Sequence, residues 1–212
     1  MRLRRDGGPR APVFARVYEA RAWEHEGSRS GPGSGLARTA RLRVELAALL
    51  QELGARSLLD AGCGDFHWMA HTALPVRRYI GVDVVPELIA VHRRSHGGRG
   101  RRFLVRDIVD DRLPRADVVL CRDTLIHLPD ADVRAALANI RRSGARWLLA
   151  TTFTAHANER DVELGDWRPT NLQAPPFDLP APARALEDIP LVDPELGADK
   201  RLALWPGDAL PA

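Results

Sequence analysis

The chain has 212 residues, 45% hydrophobic and 28% charged, enough for one domain with a buried core and too apolar for a disordered one. No apolar run reaches the ~20 residues that span a bilayer, and the basic start MRLRRDGGPRAP lacks the apolar stretch of a secretory signal, so a soluble cytoplasmic protein is expected. The net charge of +3 and pI of about 9.4 come almost wholly from arginine, Lys200 being the one lysine, and such a skew reflects GC-rich coding as readily as nucleic-acid binding.

Residues 1–11 read as a flexible tail. VFARVYEARAWEHE has helical spacing at Val13, Val17 and Ala20, and a Gly/Ser/Pro break, GSRSGPGSG, follows. Ser34 is a plausible cap for the next helix, whose apolar stripe Leu42, Leu46, Leu49, Leu50 and Leu53 stops at Gly54. The period then alternates. SLLDA, RYIGVDV, RRFLVRDI, ADVVLC and RWLLATTF read as strands, with helices over about 66–73, 86–94 and 130–142 between them. That order predicts an α/β fold with a mostly parallel sheet and helices on both faces. GDWRPTNLQAPPFDLPAPA is proline-rich and aperiodic, a functional loop by its aromatic and polar content. KRLALWPGDAL supplies a terminal strand.

In such a sheet the ligand lies beyond the carboxyl ends of the strands. There the sequence places Asp60, Gly62, Gly64 and Asp65, then Asp83, then Asp107 and Ile108, then Arg122, Asp123 and His127. Asp83 follows Gly62 by 21 residues, the spacing of an acid that receives two ribose hydroxyls. A dinucleotide fingerprint would need glycine at position 67, where this chain has His67, and Asp65 would repel a pyrophosphate. A phosphate-free cofactor with a positive centre, such as S-adenosylmethionine, fits better. The cysteines, Cys63 and Cys121, form no disulfide framework or zinc spacing, and His92 and His96 lack further ligands nearby, so no metal is expected.

LLDAGCGDF and YIGVDVVPEL resemble motifs I and II of the class I S-adenosylmethionine-dependent methyltransferases, and VVLCRDTLIHL resembles their strand-four motif. The resemblance spans about residues 30–152, and GDWRPTNLQAPPF with SGPGS resembles a small bacterial subgroup of these enzymes. It implies a Rossmann-like, seven-stranded sheet with the last strand antiparallel. It also implies S-adenosylmethionine as cofactor, S-adenosylhomocysteine as product, and Asp107 near the adenine amino group. Phe66 departs from the glycine common there, and its ring would face the core or the methionine arm. The expected single domain covers 12–212: N-terminal helices (12–54), a cofactor core (55–152), a substrate loop region (153–190) and a terminal strand region (191–212).

Ser34 and Arg38 are candidates for the cofactor's carboxylate, and Arg122 for a carboxylate as well. Of Arg122 and Asp123, neighbours on a strand end, one is expected to face the site. His127 and Asp123 are the candidate bases for a hydroxyl acceptor. Trp167, Arg168, Asn171 and Phe177 are expected to wall the substrate, a mix suited to a polar ring. The reading is methyl transfer to the hydroxyl of a sugar-like or natural-product small molecule, without membrane or nucleic-acid partners. An RNA or protein methyltransferase and a non-catalytic cofactor-binding protein stay open. Oligomeric state is not readable.

Overall fold

Five apolar runs build the parallel part of the sheet: β1 (Ser57–Ala61), β2 (Arg78–Asp83), β3 (Arg101–Val105), β4 (Val118–Cys121) and β5 (Trp147–Phe153). The computed structural model describes residues 8–188 and 198–212. The strands are apolar in succession because both faces of the sheet are covered. Leu58, Val118 and Leu149 point to one core, with the stripe of helix α2 (Ala40–Glu52). Their neighbours Leu59, Val119 and Leu148 point to the other, with Val133, Ala136, Leu137 and Ile140 of α5 (Asp130–Arg142). Two further helices, α3 (His67–Ala70) and α4 (Pro86–Ser95), pack on the α2 side through Met69 and Ile89.

The strand order is β3-β2-β1-β4-β5-β7-β6. β7 (Lys200–Pro206) runs antiparallel to both β5 and β6 (Arg184–Glu187). The seven-stranded, mostly parallel sheet with β7 reversed is the expected fold. The chain's direction of travel switches between β1 and β4, so the crevice at that switch opens beyond their carboxyl ends. No helix among the described residues is long and apolar enough to cross a membrane.

Several local expectations differ from the structure. The first helix, α1, spans Ala11–Glu19, so residues 10 and 11, read as tail, are folded; residues 1–7 lie outside the described ones. Ser34 caps no helix. It ends a 3₁₀ turn, Pro32–Ser34, and α2 starts later, after Thr39. The helix read over 66–73 is one turn, cut short because Thr72 returns its hydroxyl to the Trp68 carbonyl (3.0 Å) and Pro75 lies just beyond. β6 lies within the stretch read as loop. Of the terminal strand region, 191–197 lie outside the described residues.

Candidate active site

A cleft opens at the carboxyl ends of β1, β2, β3 and β4, with about 1070 Å³ of empty space that includes solvent at its mouth. Asp60, Gly62, Gly64, Asp83, Asp107, Ile108, Arg122, Asp123, His127 and Ser34 all line it, so ten residues far apart in sequence meet there. Arg38, Trp167, Arg168, Asn171 and Phe177 do not.

The glycine turn is shaped by its neighbours in the chain. Gly62 and Gly64 have φ of +82° and +51°. A Cβ on Gly62 would lie 2.3 Å from Thr124 Oγ1, and one on Gly64 would lie 2.3 Å from Ser30 Oγ. Both glycines therefore allow close approach of loops of this chain, and both also line the cleft. Phe66 is also left-handed, at φ +59°, and buried. Its ring packs on Tyr79 (5.2 Å), Phe103 (5.1 Å) and His96 (5.0 Å), so it faces the core and is absent from the cleft. The left-handed backbone costs about 1–2 kcal/mol, and burying a Phe side chain recovers about 1.5–3 kcal/mol.

Three carboxylates crowd this turn. Asp83 is pinned by N–H donors from Gly64 and Val85, both at 3.1 Å. Burial raises its pKa, and the charge of Asp65 adds to the rise. Asp60 accepts the Tyr79 hydroxyl at 2.6 Å, and burial, with a smaller contribution from Asp83, pushes it up to about 7. Asp65 ties the segment before α2 to the turn, accepting from the Ser28 hydroxyl (2.8 Å) and the Arg29 N–H (2.7 Å). A phosphate here would deepen a repulsion already visible in these shifts. A ligand with hydroxyls and a positive centre would relieve it, so the residues fit an adenosyl sulfonium cofactor.

Asp107 is less free than expected. Its Oδ1 accepts from Val109 N–H (2.9 Å) and its Oδ2 from Arg10 (2.8 Å). Arg10 also bonds Asp110 (2.9 Å) and grips both oxygens of Asp132 (2.7 and 2.6 Å). This residue, assigned to the tail, therefore clamps α1 across the cleft. Phe14, Tyr18 and Trp23 come with it as cleft-lining aromatics. The helical spacing of Val13 and Val17 signalled the helix, but no residue there signalled its place.

Arg122 and Asp123 both face the cleft, contrary to the expectation of one. Asp123 has φ +52°, which breaks the strand alternation that the expectation assumed. Arg122 grips Asp188 with two bonds (2.9 and 2.8 Å) and donates to the Gly33 carbonyl (2.8 Å). Its guanidinium is thus engaged by the protein itself. Lys200 lies 2.8 Å from Asp123 and 3.2 Å from Asp188. Burial opposes ionisation of Asp123, but Lys200 and Arg122 outweigh it and hold its pKa well below the usual range. A carboxylate held ionised in this way is a weaker base than a neutral imidazole.

His127 is placed differently. Its Nδ1 sits 2.9 Å from the Asp166 carbonyl. A carbonyl only accepts, so Nδ1 carries the proton and Nε2 presents a lone pair. Nε2 has no hydrogen-bond partner among the described residues. Burial lowers the pKa of His127, although the Asp166 bond and Asp123 pull the other way. The Trp23 ring stacks on it, with centroids 4.3 Å apart and planes 21° from parallel.

The four residues expected to wall the substrate lie outside the cleft lining. Arg168 is buried, donating to the Arg160 carbonyl (3.0 Å) and to Asp130 at the start of α5. Asn171 donates to the His156 carbonyl (2.8 Å), and its own N–H donates to Asn158 (2.9 Å). Phe177 belongs to the core on the α5 side, and Trp167 is 44% exposed, edge-on to Phe153. Cys63 and Cys121 are buried free thiols, with burial pushing Cys121 up to about 12, so neither is a nucleophile.

Residues 58–145 match the family model described as "Methyltransferase domain", a stretch that runs from β1 to just beyond α5. The chain has the fold of the class I S-adenosylmethionine-dependent methyltransferases. Among solved structures, the magnesium protoporphyrin IX methyltransferase of Synechocystis PCC 6803, with bound S-adenosylmethionine, is similar with TM-score 0.63 and 16% identity over 94% of this chain and 95% of that one. The methyltransferase domain of bacterial CtHen1 gives TM-score 0.56 and 14% identity over 81% of this chain and 98% of that one. The N-methyltransferase NodS of Bradyrhizobium japonicum WM9 gives TM-score 0.45 and 19% identity over 55% of this chain, which spans 62% of that protein. No curated protein matches the sequence.

Proposed function

We propose that the protein is an S-adenosylmethionine-dependent methyltransferase whose acceptor is the hydroxyl of a small molecule, with His127 as the base. The observation that carries this reading is the imidazole at the cleft: Nδ1 fixed by the Asp166 carbonyl, Nε2 unpartnered, and a pKa lowered by burial. A neutral imidazole in that tautomer can take a hydroxyl proton on Nε2 at neutral pH. Asp83, held by two backbone N–H groups, is oriented to accept the ribose hydroxyls. Val84, Val85, Leu88 and Ile108 line the cleft and would offer the adenine an aliphatic slot, and Ser34 would be available to the amino-acid arm. When bound, the cofactor supplies a methyl group on a sulfonium centre, and S-adenosylhomocysteine is its product. The chain's own work is to align the acceptor, exclude water and remove its proton.

The sugar-like acceptor expected from Trp167, Arg168, Asn171 and Phe177 loses its support, because none of the four lines the cleft. Calorimetry with S-adenosylhomocysteine tests the cofactor half of the proposal. Binding is expected in the wild type and is expected to fall below detection in Asp83→Ala. No binding to the wild type would overturn the reading. His127→Gln tests the other half: turnover should drop about 10²–10⁴-fold with product affinity unchanged.

A further inference from the structure

Besides the His127 imidazole, Phe14, Tyr18, Trp23 and Trp68 line the cleft, and the first three come from the segment that α1 lays across it. Trp23 and Phe14 gather at the His127 end, while Tyr18 lies under the Arg29 guanidinium. Trp23 stacks on the imidazole at 4.3 Å, Phe14 meets Trp23 edge-on at 6.3 Å, and Leu128 follows His127 in the same wall. The opposite end, beside Asp83, is aliphatic. Phe14, Tyr18 and Trp23 are only partly buried, although rings of this size bury well wherever a core accepts them. Among α1's own residues only Ala11 is buried; Phe14 packs against the core on the α5 side and, with Val17 and Tyr18, also lines the cleft.

From this we infer that the acceptor is a flat aromatic ring bearing the hydroxyl, a phenol, gripped by Trp23 and Phe14 beside His127. An aromatic face gains offset or edge-on contact with these rings. Two further features agree. Arg122 is paired with Asp188 and Asp123 with Lys200, and Arg29 lies over the Tyr18 ring at 5.1 Å, so neither ion pair asks for a charged acceptor. A phenol also releases its proton far more readily than a sugar hydroxyl, which suits an imidazole whose pKa lies below its ordinary value.

The inference rests on the methyltransferase reading, so the experiment separates the two. S-Adenosylhomocysteine binding is measured first by calorimetry. Then 2-naphthol and glucose are titrated into the product-loaded protein, read by calorimetry and by quenching of tryptophan fluorescence. Saturable binding of 2-naphthol without binding of glucose is expected. Trp23→Ala should weaken 2-naphthol about tenfold while product binding is kept. Phe14→Leu, a milder change, should weaken it in the same direction, and Trp23→Phe should restore part of the loss. Trp167→Ala, outside the cleft, should leave it unchanged. Glucose binding more tightly than 2-naphthol, or 2-naphthol binding equally to wild type and Trp23→Ala, overturns the inference while product binding upholds the methyltransferase reading. Loss of product binding in the wild type overturns both.

Discussion

Gly62 shows how one atom organises the site. A methyl group there would meet the Thr124 hydroxyl at 2.3 Å in a backbone conformation that L side chains resist. Gly62→Ala is expected to cost more than about 2 kcal/mol in urea denaturation, as strain and overpacking combine. Gly98→Ala, with nothing within 4 Å, should stay within about 0.5 kcal/mol. The glycines themselves were legible in the sequence. Their partners Thr124 and Ser30 were not, because the contact joins segments 62 and 34 residues apart. His127 makes the second residue-scale prediction. Its lowered pKa keeps it neutral from neutral pH down to some point below 6.5. Activity should therefore hold through neutral pH and fall in acid as Nε2 takes a proton, and His127→Gln should lose that acid limb of the pH–rate profile.

At the scale of elements, α1 is a strap with few packing contacts of its own, tied down at Arg10 by three carboxylates and at Ser28 and Arg29 by Asp65. Arg10→Ala removes one tie without touching the sheet. Hydrogen exchange over 11–19 should speed up by tenfold or more, while exchange in β1 and β4 stays unchanged. High salt should act in the same direction on the wild type, since Asp110 is 45% exposed and the clamp is partly screened. The helix itself was readable from its periodicity. Its position was not, since Arg10 looks like one more arginine of a basic tail until Asp107, Asp110 and Asp132 surround it. β6 was missed for a related reason. RALE is short and mostly exposed, an edge strand held by pairing with β7 and without an apolar run to announce it.

At the scale of the whole molecule, a buried charge network joins the far end of the chain to the site. Lys200, on β7, neutralises Asp123 beside the cleft and Asp188 just after β6, and Arg122 shares both. Lys200→Met leaves two largely buried carboxylates short of a partner. It should cost about 3 kcal/mol or more in denaturant unfolding at pH 7. The sign with pH follows from Asp123. Its pKa is depressed in the fold, so the stability it contributes is present above about 4 and is lost as pH falls through the depressed value. The deficit of Lys200→Met should therefore shrink as the solution is acidified below pH 4.

The sequence by itself determined the sheet, its two-faced core and the acids and glycines at its carboxyl ends. These follow from period, from apolar runs and from residues whose roles are set within a strand and its turn. Only the tertiary structure decided which side chains share the cleft. It took Phe177 into the core and Arg168 and Asn171 into bonds with other loops, and it brought Trp23 and Phe14 to His127. It also turned Asp123 into an ion-pair partner, leaving His127 with the unpartnered nitrogen. Each of these outcomes depends on a contact between segments distant in sequence, and neither composition nor spacing records which distant partner a side chain will meet.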